Sequence, residues 1–207
     1  MNRFTQDKNK LCYLYDSEKV WIEAWGKNSL RIRATHMPKM PEENWALLDM
    51  CAEEQINAIN LEINISEIGA SITNGNIKAT ITHFGKITIY NQNDKILLSE
   101  YVRNWSDVKA EYASALLIDA REFKPLMGGD YKLTMRFESL SDNERIYGMG
   151  QYQQPHLNLK GTELELAQRN SQASVPFAVS SLGYGFLWNN PAVGRVTFGK
   201  NTTIFEF

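Results

Sequence analysis

Period-two alternation of apolar and polar residues, repeated in short runs along most of the chain, constrains this sequence more than any other feature. Successive side chains of a β-strand point to opposite faces, so alternation marks a strand with one face on a core. Ile59-Asn60-Leu61-Glu62-Ile63-Asn64-Ile65 is the cleanest case, with its apolar side chains all on one face. Val20–Trp25 and Leu30–Ala34 alternate on either side of Gly26-Lys27-Asn28 and read as a hairpin. Further runs are Ile77–Thr82, Lys86–Tyr90, Ile96–Ser99, Lys132–Glu138, Leu164–Leu166, Val175–Val179, Gly185–Trp188, Arg195–Phe198 and Thr203–Phe205. Turn residues that tolerate left-handed backbone separate them, as in Thr73-Asn74-Gly75-Asn76 and Asn91-Gln92-Asn93-Asp94. Many short strands with regular turns predict an all-β sandwich or barrel. Helical periodicity is confined to one short candidate over Pro41–Leu48. Asp107–Ile118 fits either a helix or a buried strand ending in Leu116-Leu117-Ile118. With 207 residues and neither internal repeat nor low-complexity linker, the chain is read as one sandwich domain over 1–207, residues 1–19 forming a loosely ordered lead-in.

Composition removes several function classes. A chain 43% hydrophobic and 22% charged can build a core, which excludes wholesale disorder. Twenty-two Lys and Arg against 24 Asp and Glu leave a net charge of −2, without the basic excess of a nucleic-acid binder. No apolar run nears the roughly 20 residues that cross a bilayer. Met1–Lys8 is polar and acidic where a signal peptide needs an apolar stretch, so a cytoplasmic protein is expected, with neither nucleic acid nor membrane as partner. Cys12 and Cys51 form no Cys-x-x-Cys pair and read as reduced, partly buried thiols. His36, His83 and His156 are far apart, so neither a metal nor a cofactor is expected. The sequence stops inside the apolar run Thr203-Ile204-Phe205-Glu206-Phe207, which reads as a fragment of a longer protein.

Between Tyr147 and Pro191 the composition shifts toward amides, aromatics and glycine. Tyr147-Gly148-Met149-Gly150-Gln151-Tyr152-Gln153-Gln154-Pro155-His156 is followed by Gln168-Arg169-Asn170-Ser171-Gln172 and by Trp188-Asn189-Asn190-Pro191. Amides pair donors and acceptors with vicinal hydroxyls and aromatic faces pack on sugar rings, so the segment suits a saccharide. The same amides also suit the plainer task of satisfying loop backbone. Gly148-x-Gly150 lacks the third glycine and following helix of a dinucleotide fingerprint. Gly128-Gly129-Asp130 reads as a turn, and Ser180-Ser181 sits in no nucleophile elbow.

These residues carry a family resemblance. Tyr147-Gly148-Met149-Gly150-Gln151 resembles the Tyr/Phe-Gly-Leu-Gly-Glu/Gln motif of glycoside hydrolase family 31, the family of α-glucosidases and α-xylosidases. Val175-Pro176-Phe177-Ala178-Val179-Ser180-Ser181-Leu182-Gly183-Tyr184-Gly185 through Asn189-Asn190-Pro191 is similar to a strand pair of that family. Leu30-Arg31-Ile32-Arg33 and Ile87–Glu100 resemble its earlier strands.

The resemblance implies an N-terminal, galactose-mutarotase-like β-sandwich ahead of a (β/α)8 barrel that holds both catalytic aspartates. The chain shows no barrel strand and no Trp-x-Asp-Met-Asn-Glu-like nucleophile motif. The catalytic carboxylates are therefore expected outside it, and the chain alone is expected to be inactive. In family members a sandwich loop with an Arg-Asp or Arg-Asn pair overhangs the barrel and contacts the sugar. Arg169-Asn170-Ser171 matches that loop, and together with Gln151 these are the expected substrate-binding residues. The amide-rich variant resembles α-xylosidase-like members.

The implied parent cleaves terminal α-linked glucosyl or xylosyl residues with retention, using two carboxylates. The implied partners are an oligosaccharide or glycoside and the barrel of the same polypeptide. A barrel-facing surface left bare is expected to be apolar and to favour homo-oligomers. Two other classes fit the composition: a stand-alone carbohydrate-binding module, and an aldose epimerase using histidines with a glutamate as acid and base.

Overall fold

The computed structural model describes residues 2–41, 47, 61–105, 113–199 and 204–206. Regular structure among them is entirely strand. The chain divides into two compact units, Met1–Ile96 and Leu97–Phe207. The helix expected over 41–48 falls outside the described residues apart from Pro41 and Leu47, as do Cys51, Ile59 and residues 107–112.

In the first unit β1 (Phe4–Asp7), β2 (Lys10–Tyr15), β3 (Glu18–Ala24) and β4 (Leu30–Thr35) form an antiparallel sheet in sequence order. The predicted hairpin is β3–β4, with Trp21 opposite Arg33 and Ala24 opposite Leu30. Residues 1–19, expected as a lead-in, carry β1 and β2, and Phe4, Leu11 and Tyr13 are buried. Phe4, Leu11 and Tyr13 face the core, while polar Gln6, Asp7 and Lys10 and the exposed Leu14 hide the alternation.

A second meander follows: β5 (Leu61–Ile65), β6 (Gly69–Asn74), β7 (Ile77–Thr82) and β8 (Ile87–Asn91). Val20 and Ile22 of the first sheet share one core with Ile72, Ala79, Ile81 and Ile87 of the second. Burying each Val or Ile contributes about 1.5–3 kcal/mol. Strand β5 carries the cleanest alternation, yet Ile65 is 40% exposed because β5 lies at a sheet edge.

Two turns lock together in this unit. The buried Asn74 amide donates to the carbonyls of Gly26 (3.0 Å) and Ser29 (2.7 Å) in the β3–β4 turn. Asn28 Oδ1 accepts from Asn76 N at 2.8 Å. Gly75 has φ +62°, and a Cβ there would sit 2.1 Å from that same Oδ1, so a side chain would displace the Asn28 amide that ties the two turns. Strand β9 (Ile96–Ser99) begins at the last residue of the first unit.

The second unit contains β10 (Arg121–Pro125), β11 (Tyr131–Glu138), β12 (Ile146–Gln151), β13 (Glu163–Leu166), β14 (Ala173–Ser180), β15 (Tyr184–Leu187), β16 (Gly194–Phe198) and β17 (Ile204–Glu206). One sheet runs β10-β11-β17-β16-β13 and another runs β12-β14-β15, all pairs antiparallel. Gly128-Gly129-Asp130 is the expected turn, closed by Leu126 N donating to Asp130 O at 2.8 Å. Leu116 and Leu117 are 70% and 68% exposed, so this end of the ambiguous Asp107–Ile118 segment is neither helix nor buried strand.

Phe137, Ile146, Ala178, Val196 and Phe198 are buried in this unit. Phe137, Ala178 and Phe186 border a small apolar cavity of about 20 Å³. Charged groups inside are paired, as burial requires. Arg121 is bound to Glu100, and Glu144 accepts from Ser180 Oγ and from Tyr184 Oη, the latter at 2.9 Å. Burial, with the Glu144 charge and hydrogen bond, pushes the Tyr184 phenol above its ordinary range. Burial lowers the Lys160 ammonium pKa, against the pull of Glu144 3.9 Å away.

Candidate functional site

The polar segments of the second unit meet at one end of the β12-β14-β15 sheet. Strand β13 leads into a tight turn over Arg169–Gln172, where Gln172 N donates to Arg169 O at 3.1 Å. Ser171 occupies the left-handed third position of this turn at φ 67°, which small polar residues tolerate. The chain then enters β14 at Ala173, whose register partner is Gln151. Arg169, Asn170 and Ser171 thus share one turn, and Gln151 lies across from Ala173, the residue that follows it. All four are exposed.

The amide- and glycine-rich stretch from Tyr147, which shows no alternation, is strand β12 as far as Gln151. Its glycines explain why the pattern was hard to read. Gly148 and Gly150 have φ +98° and +89°, and the register with β14 shifts between them. A Cβ on Gly150 would lie 2.1 Å from the Ala173 carbonyl oxygen, and one on Gly148 2.4 Å from that of Phe177. The glycines build a bulge in which two backbones approach closely.

Beside the turn lies an open cleft of about 380 Å³. Tyr152, Gln153 and Gln154 line it past the end of β12, Glu163 and Glu165 from β13, and Arg169 and Gln172 from the turn. No motif marks Glu163 and Glu165 as site residues; the alternation Glu163-Leu164-Glu165-Leu166, with both leucines buried, is the signal that aims them outward. Arg169 pairs with Glu165, and these side chains are 60% and 50% exposed. An exposed pair of this kind contributes about 0–1 kcal/mol, so ligand hydroxyls can replace it at little cost.

The cleft wall is held from behind. Tyr152 Oη lies 2.9 Å from the Glu165 carbonyl oxygen and 2.8 Å from Ser174 Oγ. With one proton, the phenol donates to the carbonyl and accepts from the serine. Gln168 clamps the backbone of Ser174 on both sides, donating to its oxygen (2.7 Å) and accepting from its nitrogen (3.1 Å). The amides thus divide into two groups. Gln168, Asn158 and Asn190 satisfy backbone, whereas Gln153, Gln154 and Gln172 face the cleft. Among the described residues no group of three or more His, Cys, Asp or Glu could hold a metal, and no helix is long and apolar enough to cross a membrane.

Comparison with known proteins places this fold. The chain is 48% identical to a family 31 α-xylosidase from a soil metagenome, solved in complex with xylose, at TM-score 0.90 over 99% of this chain and 30% of that one. It is 46% identical to a protein of Pseudescherichia vulneris described as an uncharacterized family 31 glucosidase, over 97% of this chain and 38% of that protein. Alpha-xylosidase A of Aspergillus niger is 27% identical, over 98% and 28% respectively. The chain therefore spans less than two-fifths of the length of these relatives.

The fold and these matches define an all-β domain of the kind found in family 31 glycoside hydrolases. The family described as the glycosyl hydrolase 31 N-terminal galactose mutarotase-like domain matches residues 19–196, and the chain belongs to it.

Proposed function

We propose that residues 1–207 form the N-terminal domain of a cytoplasmic, retaining α-glycosidase that removes terminal α-linked xylosyl or glucosyl residues, xylosyl being favoured by the relatives. In this reading both catalytic carboxylates lie outside the chain, and the domain supplies one wall of the substrate pocket. The observation that carries it is the open, amide-lined cleft with the Arg169 turn at its rim. Arg169 offers a fork of donors to sugar hydroxyls, Gln151, Asn170 and Ser171 border the same end of the sheet, and Tyr152 and Gln168 hold the turn in place.

The test is Arg169→Ala in the intact enzyme, read by kinetics and melting temperature on one sample. Losing a charged hydrogen-bond donor to the substrate costs about 1.5–3 kcal/mol, so kcat/KM falls roughly ten- to a hundredfold. The exposed Glu165 pair predicts a stability change within about 1 kcal/mol. An unchanged kcat/KM with a lowered melting temperature ends the assignment. The chain by itself is expected to hydrolyse neither aryl α-xyloside nor aryl α-glucoside, and turnover that survives further purification refutes the placement of the carboxylates.

The cleft also supports a second reading, sugar binding without chemistry by the isolated domain. Titrating the chain with xylose and following the Gln153 and Gln172 side-chain amide resonances separates the two, because a pocket that needs the rest of the enzyme leaves them unmoved.

A further inference from the structure

Lys8, Asp16, Asn28, Asp94 and Ser171 have positive φ at exposed positions between strands, where turns call for it. Met149, at φ +67°, is the one non-glycine residue among those described that takes such a conformation within a strand, and it is 1% exposed. A long side chain strains the backbone there, and strain of this kind persists only where the surroundings fix it. Gly148 and Gly150 have positive φ as well, so three successive residues of β12 depart from strand geometry. The departure falls where the ladder to β14 changes step. Gly148 faces Ala178 and Gly150 faces Ser174, so Met149 alone spans Val175, Pro176 and Phe177. Pro176 has no N–H to give the ladder, and in the central strand of this sheet it is tolerated only at such an irregularity. An even register continued from Gly148 would set Gly150 against Pro176 and Gln151 against Val175. The bulge therefore advances β14 by two residues, about 7 Å.

What the bulge advances is the support of the Arg169 turn. Ala173, the residue after the turn, is brought opposite Gln151. Ser174 follows, its hydroxyl donating to Tyr152 Oη and its backbone clamped by Gln168. We propose that Met149 is a positioning residue for the Arg169 turn: its buried side chain anchors the bulge that sets where β14 begins, and so where the guanidinium stands at the cleft. This role rests on the reading of the cleft as part of a substrate pocket. Met149 does not line the cleft, so it acts through Ser174, Tyr152 and Gln168. A misplacement of about 1 Å can cost a reaction about a hundredfold, so a slip by a fraction of the bulge's advance is enough to matter. Leucine is close to methionine in volume and keeps the anchor. Alanine removes it and leaves the positive φ.

The test is a double-mutant cycle in the intact enzyme, read as kcat/KM per folded molecule on an aryl α-xyloside. Met149→Ala should lower kcat/KM by at least about fivefold, and by no more than Arg169→Ala does, because it works through that residue. The two substitutions together should be no worse than Arg169→Ala alone. Met149→Leu should stay within about twofold of wild type. Ile146→Ala, at a buried position of the same strand before the bulge, should lower the melting temperature and keep kcat/KM within about twofold of wild type. Should Met149→Ala fail to fold, Met149→Gly takes away the same anchor while relieving the positive φ, and reads the same point. An impaired Arg169→Ala beside a Met149→Ala at wild-type kcat/KM overturns the role of Met149 and leaves the cleft reading standing. Losses that multiply in the double variant overturn it too, as does an Ile146→Ala loss equal to that of Met149→Ala. An Arg169→Ala enzyme at wild-type kcat/KM removes the cleft reading and the role of Met149 with it.

Discussion

The outward face of the β1–β4 sheet and the outward face of the β12-β14-β15 sheet are built on the same plan and finished in opposite ways. On the first, Trp21 lies between Lys10 Nζ, 4.1 Å from its ring centre, and the Arg33 guanidinium, 5.0 Å away. Arg33 also forks onto Glu23 at 2.8 and 2.9 Å, and Arg31 sits 4.9 Å over Trp25. Apolar rings are thus covered by charged groups whose heads stay wet. On the second face the equivalent outward positions are Val175, Phe177, Val179 and Leu187, with no charge in reach along the three strands. Both sheets alternate, so alternation says only which side chains point outward. The chemistry of those side chains says whether water or protein is meant to meet them.

The sharpest way to break this comparison is to ask whether the bare face is core in disguise. Ile72, with no exposed surface, should cost about 2–5 kcal/mol when truncated to Ala, seen as a lower denaturant midpoint with unchanged slope. Val179→Ala in dilute, monomeric protein should cost less than about 1 kcal/mol, because much of its surface is already wet. Equal losses would mean that the face is buried in solution rather than exposed to water.

The next largest effect probes what shapes the bare face. Gly150→Ala imposes a side chain at φ +89° and drives its Cβ into the Ala173 carbonyl oxygen. The strained backbone alone costs about 1–3 kcal/mol, and displacing β14 adds to it. Gly128→Ala shares the positive φ with open space around it, so it isolates the strain. A Gly150→Ala penalty no larger than that of Gly128→Ala would show that β14 yields freely.

The dressed face should respond more weakly. Arg33→Ala removes the fork to Glu23 and one cation over Trp21, at side chains 17% and 13% exposed. Thermal melts should show a loss of about 1–2 kcal/mol, and Arg33→Lys should restore only part of it because an ammonium cannot fork.

Much of the architecture is legible in the sequence. The runs Ile77–Thr82 and Ile96–Ser99 became strands with the same bounds, because period-two burial is a local property. Strand β12 was missed because its bulge replaces side chains with glycines, leaving no alternation to see. Strands β1 and β2 were missed because polar residues outnumber the buried ones along them. The candidate turn was found through Arg169-Asn170-Ser171, yet Glu163, Glu165 and the Tyr152 buttress depend on which strands become neighbours. The partner of Tyr152, the carbonyl of Glu165, is a backbone atom. No side-chain motif encodes such a contact, and only the folded register discloses it.

Charge dressing recurs on the β10–β11 pair, where its worth can be read by pH rather than by truncation. Glu122 accepts from Arg136 at 2.7 Å and meets Lys124 at 3.0 Å. The Arg136 hydrogen bond, then that of Lys124, holds its carboxyl below the ordinary carboxylate value of 4.5. A carboxylate with a depressed pKa in the folded state stabilises fully above its unfolded pKa, and the contribution fades as pH falls through the folded value. Wild type should therefore exceed Glu122→Gln in stability at pH 6 by less than about 1 kcal/mol, since the partly exposed carboxylate is screened by water. The gap should close as pH drops below the unfolded value of 4.5. Denaturant midpoints of both proteins across that range are the measurement. A gap that persists unchanged to the acid end would mean that Glu122 acts through packing, and that the charged faces owe little to their charge.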